Sequence, residues 1–321
     1  MRLATLKDGS PDGALAVVAD DAARALRVGP ALPSLLALME DWEAGQPILA
    51  QTRCRVLAGE GEPVAPADFA APLPRSWQWL DGSAFSTHGR LMQIAFGLEP
   101  IDSVRPLMYQ GMSDRFYGPA DDVVLPSTEH GIDFEGEFGV IVDRVPMGTS
   151  AHDARSHIRL IVQINDWSLR AIAPIEMKTG FGWVQAKPAC SMAPFAVTPD
   201  ELGDEWRDGR VCLDLAIDWN GERFGSANGA AMDFGFHELV AHAALTRDLV
   251  AGTVIGSGTV SNANYAQVGS SCISEVRAIE IIAHGAPATA FMQFGDTIRM
   301  EGRAKDGATP FGAIHQCVVA S

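Results

Sequence analysis

Apolar and polar positions fall into two regimes along the chain. The first stretch is a small β pattern: "MRLATL" (1–6) and "LAVVADDAARALRVG" (15–29) are strand-like runs broken by the turn-rich "KDGSPDG" (7–13). A helical period follows, with Leu35, Leu36, Met39 and Trp42 spaced by three and four after the opener "ALPS". The Gly- and Pro-rich stretch 57–75, "LAGEGEPVAPADFAAPLPR", reads as a linker. It puts a boundary near residue 70, between a small unit over 1–70 and a larger one over 71–321.

The larger unit is dominated by strand-like runs. "GIDFEGEFGVIVD" (131–143), "HIRLIVQIND" (157–166), "VCLDLAIDWNGERFG" (211–225), "GTVIGSGTVS" (252–261), "SEVRAIEII" (274–282) and "GDTIRMEG" (295–302) all suit strands. Asn220-Gly221 inside the third of these is a hairpin signal. Helical patterns are fewer: "SAHDARSHI" (150–158) opens on a Ser cap, and "DFGFHELVAHAALTRDL" (233–249) has helical apolar spacing. The pattern predicts a mixed α+β protein with a β-rich core and no internal repeat.

Bulk numbers narrow the setting. The chain has 321 residues and a formal net charge of −16, a field that repels nucleic acid and anionic membranes. No apolar run is long enough to span a bilayer, and "MRLATLKDGS" has no signal-peptide core, so a cytoplasmic protein is expected. Cys54, Cys190, Cys212, Cys272 and Cys317 form no C-x-x-C pair, which fits reduced thiols better than a disulfide framework or a zinc site.

Chemistry is suggested first by "DFEGE". Asp133, Glu135 and Glu137 alternate, so a strand would line them on one face. Such a face is either the wet side of a half-buried strand or an oxygen-only site for a hard cation, since carboxylates this close repel one another unless protonated or neutralised. Asp166 ends the apolar run "LIVQIN", followed by Trp167, Ser168 and Arg170; a turn cap with a surface arginine is the plainer reading. Asp81 precedes Gly-Ser, and His88 follows seven residues later, one of eight histidines able to exchange a proton near neutral pH. Gly256-Ser257-Gly258-Thr259 follows a strand but is no dinucleotide fingerprint, and Glu275 sits in what reads as an exposed strand.

Taken in order, "DGSAFSTH", "YQG", "DFEGE", "NDWSLR", "AKP", "GSGTVS" and "SCISE" resemble the fumarylacetoacetate hydrolase family from about residue 75 to the C-terminus. The resemblance implies an α+β fold: a β-rich catalytic domain built as a mixed β-sheet roll, preceded by a small N-terminal β-containing domain. It implies one divalent cation, Mg²⁺ first with Mn²⁺ or Ca²⁺ as alternatives, on Asp81, Glu135, Glu137 and Asp166. His88 would be the base, oriented by Glu275, with Arg170, Lys187, Tyr109 and Thr259 holding substrate. The family's glutamine three residues after the arginine is Ala173 here.

The activity so implied is hydrolysis of a carbon–carbon bond in a 1,3-diketo acid, of fumarylacetoacetate or acylpyruvate type, in tyrosine or other aromatic catabolism. A decarboxylase, hydratase or tautomerase of a related 2-oxo acid would use the same cation site, and a non-catalytic metabolite-binding protein is the third class. The partner implied is a small-molecule diketo acid, in a homodimer, with no nucleic acid or membrane.

Overall fold

Strand pairing explains why the apolar runs of this chain do not alternate. The computed structural model describes residues 1–97 and 104–321. Its larger sheet has 11 strands, ordered Glu62–Pro63, Arg24–Arg27, Ala14–Val18, Arg2–Leu6, Ala196–Val197, Ile158–Asn165, Gly136–Val142, Thr253–Gly256, Trp79–Ser83 and Leu107–Gly111, with Ser191–Met192 pairing beside Ile158–Asn165. All seven residues of Gly136–Val142 are buried, because both faces of this central strand are covered. Leu215 and Ile217 from a second, five-stranded sheet close over Gly136, and Phe138 packs on Phe311 at 5.8 Å. On the other face, Ile141 joins Leu160, Val162, Leu3 and Leu49 in a separate apolar cluster.

The strands of the N-terminal segment are continuous with this sheet: Arg2 and Leu3 pair with Val197 and Ala196. The helix Trp42–Leu57 lies against Ala14–Val18 and Arg24–Arg27. The expected hairpin forms between Asp214–Trp219 and Glu222–Asn228, with Asn220 at φ 53° and Gly221 at φ 80°. Positive φ at both central residues is the type I′ geometry that matches strand twist. Among the described residues no helix is long and apolar enough to cross a membrane.

Two expectations need correction. The run 131–143 is not one strand: Ile132–Asp133 pairs with Ser168–Leu169, Gly136–Val142 pairs with Ile158–Asn165, and Phe134 and Glu135 fall between the two ladders. The break is held by Glu135 N donating to Asn165 Oδ1 at 3.0 Å and Asp166 N donating to the Glu135 carbonyl at 2.9 Å. "SEVRAIEII" is not a strand but most of the helix Ile273–His284, which buries Ile273, Glu275 and Ala278 on one side and ends on Gly285 at φ 82°. It packs along the helix Ser86–Phe96, which the strand-dominated reading passes over.

Candidate functional site

The sheet brings distant acids together. Asp81 lies mid-strand in Trp79–Ser83, in register with Tyr109 on one neighbour and Gly256 on the other. Glu137 lies opposite Ile164, and Asp166 follows directly on the strand Ile158–Asn165. Carboxylate oxygens of Asp81, Glu137 and Asp166 all lie within 4.8 Å of one another, and all three residues are buried. The backbone is shaped to this cluster. A Cβ at position 256 would sit 2.3 Å from Asp81 Oδ1, and Gly258, at φ +74°, donates its N–H to the same oxygen at 3.0 Å.

Hydrogen bonding divides the acids into two classes. Glu135 is well supplied with donors: Oε1 accepts from Ser168 Oγ at 2.7 Å, Arg170 Nη2 at 2.5 Å and Lys187 Nζ at 3.0 Å, and Oε2 accepts from Thr259 Oγ1 at 2.6 Å, which leaves Oε2 room for a further partner. Asp166 accepts from Tyr109 Oη at 2.7 Å, Lys187 Nζ at 2.5 Å and the Cys190 thiol at 3.0 Å. Glu137 is the opposite case: among the described residues no N–H or hydroxyl group reaches either of its buried carboxylate oxygens, and its close neighbour is the carboxyl of Asp81.

The pKa directions follow from this division. Burial works to raise the Glu135 carboxyl, but the charges of Arg170 and Lys187 outweigh it and hold it well below the usual range. Burial and the neighbouring acids Asp81, Asp166 and Glu135 push Glu137 well above the usual range. Burial, then Asp166, does the same to Asp81. Burial works to lower the Lys187 ammonium, yet Asp166 and Glu135 hold it above its ordinary value. Two fixed cations therefore face four acids, and they pair with Glu135 and Asp166, leaving Asp81 and Glu137 as the two that burial disfavours in charged form.

A buried carboxyl without donors, as in Glu137, set this close to a second one in Asp81, is costly unless protonated or bound to a cation. The donor set is all oxygen, which suits a hard divalent ion. Burial and Asp166 keep the Cys190 thiol protonated, which removes a thiolate ligand. The residues present thus fit a divalent cation, with Asp81, Glu137 and Asp166 offering free acceptor capacity and Glu135 adjoining them.

A second pair stands at the rim of the acids. His88, on the helix Ser86–Phe96, places Nδ1 2.9 Å from Oε1 of Glu275 on the helix Ile273–His284. Glu275 is fully buried, and Cys272 caps its helix by accepting from the Glu275 N–H at 3.4 Å. A carboxylate that accepts from Nδ1–H fixes the tautomer and turns the Nε2 lone pair toward a partner.

Asp133, the first acid of "DFEGE", belongs to neither group. It accepts from the N–H groups of Ile273 and Ser274 at 2.7 and 3.0 Å, and from Arg170 Nε at 2.8 Å. It therefore holds the start of the helix carrying Glu275 and, from behind, the arginine that reaches Glu135. The reading of Asp133 as one of three acids on a solvated strand face fails, because it is fully buried and the strand is broken after it.

One cavity of about 360 Å³ opens onto part of this arrangement, with Glu137 and Asp166 lying behind its lining. Asp81, His88, Tyr109, Glu135, Arg170, Lys187 and Thr259 all line it, whereas Glu275 stands behind His88. Several residues at the site were not singled out from sequence. Ser168 and Asn165 hold Glu135, Cys190 holds Asp166, and Met92, Met177 and Trp183 build the outer wall. The "NDWS" run carried a signal for the first two, since polar residues directly after a buried strand need partners. Ala173, where the family resemblance leads one to expect glutamine, also lines the cavity.

Comparison with known proteins gives the wider setting. Residues 78–319 match the family described as "Fumarylacetoacetate (FAA) hydrolase C-terminal", and residues 1–75 match "Fumarylacetoacetase N-terminal domain 2". The chain is 31% identical over 157 residues to the 2,4-didehydro-3-deoxy-L-rhamnonate hydrolase of Sphingomonas sp. (strain SKA58), covering 48% of this chain but only 52% of that relative. It is 26% identical over 242 residues to the mitochondrial oxaloacetate tautomerase FAHD2B of Bos taurus, covering 72% of this chain and 70% of that one. The structure of maleylpyruvate hydrolase from Sphingobium sp. SYK-6, in complex with manganese (II) ion and pyruvate, superposes with a TM-score of 0.67 over the whole of both chains at 18% identity, a likeness of fold.

Proposed function

The chain belongs to the fumarylacetoacetate hydrolase family, and from that premise we propose that it hydrolyses a carbon–carbon bond in a 1,3-diketo acid with the help of one divalent cation. The observation that carries this reading is the buried cluster of Asp81, Glu137 and Asp166, of which Asp81 opens onto the cavity that His88 also lines, with Glu275 behind His88. Asp81, Glu137 and Asp166, with Glu135, would hold the cation, Mg²⁺ or Mn²⁺. When bound, it supplies Lewis acidity to the oxygens of an enolate.

The chain's own residues supply the rest. Glu275 orients His88 through Nδ1, and Nε2 takes a proton from a water that adds to the distal carbonyl. The bond between that carbon and the adjacent methylene breaks, leaving an acid and an enolate. The proton held by His88 returns to the enolate carbon. Lys187 and Arg170, buried beside the acids, lie where negative charge develops. Tyr109 and Thr259 orient Asp166 and Glu135 and face the substrate. Retention of this pair and both cations weighs against a protein that only binds a metabolite.

The division into a unit over 1–70 and a catalytic unit over 71–321, a homodimeric assembly, a cytoplasmic setting and a place in aromatic catabolism belong to the same proposal. The relation to an oxaloacetate tautomerase favours one second reading: enol–keto interconversion of a 2-oxo acid at the same site, which needs a proton carrier but no attacking water. A turnover screen separates the two. Acylpyruvates, fumarylacetoacetate and enol-oxaloacetate are offered with Mg²⁺, Mn²⁺ or Ca²⁺, with cleavage products identified by mass spectrometry and tautomerisation followed by absorbance. Cleavage of a diketo acid supports the hydrolase; loss of enol absorbance without cleavage supports the tautomerase.

A further inference from the structure

The cavity contains two kinds of wall, and the difference bears on the far end of the substrate. Its floor is the charged cluster. Its outer wall is mainly Met92, Leu107, Met108, Pro174, Met177 and Trp183, with Gln93 and Ser83 as its neutral polar members and Trp183 edge-on to Tyr109 at a ring separation of 6.3 Å. Among the described residues that line the cavity, Arg170 and Lys187 are the cationic side chains besides His88. Both are already committed at the floor, Arg170 to Asp133 and Glu135, Lys187 to Glu135 and Asp166. A carboxylate at the substrate's head can share these two and the cation. A second carboxylate, at the tail, would meet mostly thioether, indole and proline surface, with neutral Gln93 and Ser83 but, among the described lining residues, no further cation to pair with it.

Resting on the hydrolase reading above, we propose that the substrate is a monocarboxylic 2,4-dioxo acid whose acyl end is apolar, and that dicarboxylic diketo acids are rejected at the Met92–Met177–Trp183 wall. Desolvating an unpaired carboxylate is unfavourable, while each methylene buried on such a wall is favourable. The volume, about 360 Å³, is near the small end of ligand pockets and fits a diketo acid with a short tail. The protein's net charge of −16 acts in the same direction against a second negative charge.

Two inert ligands of equal length test the tail without any chemistry: 2-oxohexanoate and 2-oxoadipate, titrated calorimetrically into the Mn²⁺-loaded protein. The monocarboxylate is expected to bind at least tenfold tighter; equal or tighter binding of 2-oxoadipate overturns the proposal. In turnover, kcat/KM for acetyl-, butanoyl- and hexanoylpyruvate should climb by about fourfold per methylene, from the transfer free energy of a CH₂, and succinylpyruvate should fall at least tenfold below butanoylpyruvate. Met177 is half-exposed at the cavity mouth, so Met177→Arg adds a cation to the wall with little risk to the fold. It should narrow or reverse the preference; a preference unmoved by it overturns the assignment of this wall to the tail. Tight binding of 2-oxohexanoate with no cleavage of any diketo acid supports the tail assignment and overturns only the hydrolase reading.

Discussion

His88 Nδ1 lies 2.9 Å from Glu275 Oε1, across two packed helices and 187 positions of sequence. The contact joins an exchangeable proton to a carboxylate with no solvent access. If the pair works as base and orienter, His88→Ala should lower kcat/KM by roughly 10²–10⁴-fold, the usual span for a general base. Glu275→Gln should cost less, and the double variant should cost little more than His88→Ala alone. Additive losses would show that the two residues act separately.

Asp133 binds the first N–H groups of the helix that carries Glu275, and Arg170 as well. Asp133→Ala should destabilise the protein by about 3–5 kcal/mol, the cost of removing one partner from a buried charged pair. Asp133→Asn keeps an acceptor and should cost less. Urea unfolding midpoints decide this; a midpoint unchanged in Asp133→Ala would mean that the helix start is held elsewhere.

A methyl group at position 256 would collide with Asp81 Oδ1 and with the Trp79 ring, each at 2.3 Å. Gly256→Ala should therefore displace Asp81 and weaken cation binding. Overpacking of this kind costs about 1–3 kcal/mol in stability. A Mn²⁺ titration of this variant that matches the parent would contradict the placement of Asp81 beside this strand.

In the cation-free protein, burial and neighbouring acids keep Asp81 and Glu137 protonated above the ordinary carboxylate range. The unfolded chain has by then released those protons, so it binds fewer than the fold does. Stability should accordingly fall as pH rises through the folded-state pKa values. Added cation should reverse that fall, bind more tightly at higher pH and release protons. Melting curves against pH, with chelator or Mn²⁺, and calorimetry in two buffers of different ionisation enthalpy measure both effects. Above the ordinary carboxylate range, where acids such as Glu135 are ionised in both states, a chelated protein that gains stability as pH rises would contradict the burial of these two acids.

What could be read from the chain ahead of its structure was whatever local pattern decides. Asp166 at the end of a buried run, the Asn220-Gly221 hairpin and the Ser34 cap of Leu35–Glu40 are set by neighbours in sequence. The helix Ile273–His284 carries a strand-like signal because Val276, Ile279, Ile281 and Ile282 are β-branched, a weak preference that burial along one side overrides. The Gly285 stop was the available counter-signal. Asp133 could not be sorted from Glu135 and Glu137 by alternation, because its partners Ile273 and Ser274 lie 140 and 141 positions away. The apolar wall was equally out of reach: Met92, Leu107 and Met177 come from three separate segments that only the cavity unites.

Glu137 offers the most direct test of the cation site, because Glu137→Gln keeps its shape and removes its charge. The cation-free variant should be more stable than the parent at neutral pH, since an uncharged amide replaces a carboxyl that burial and Asp81 push away from ionisation. The same variant, titrated with Mn²⁺ and read by electron paramagnetic resonance, should lose the single tight site per chain that the parent is expected to show, and turnover with it. A Glu137→Gln protein that binds Mn²⁺ as the parent does, or a parent that turns over fully after exhaustive removal of metal, would contradict a cation held by Asp81, Glu137 and Asp166.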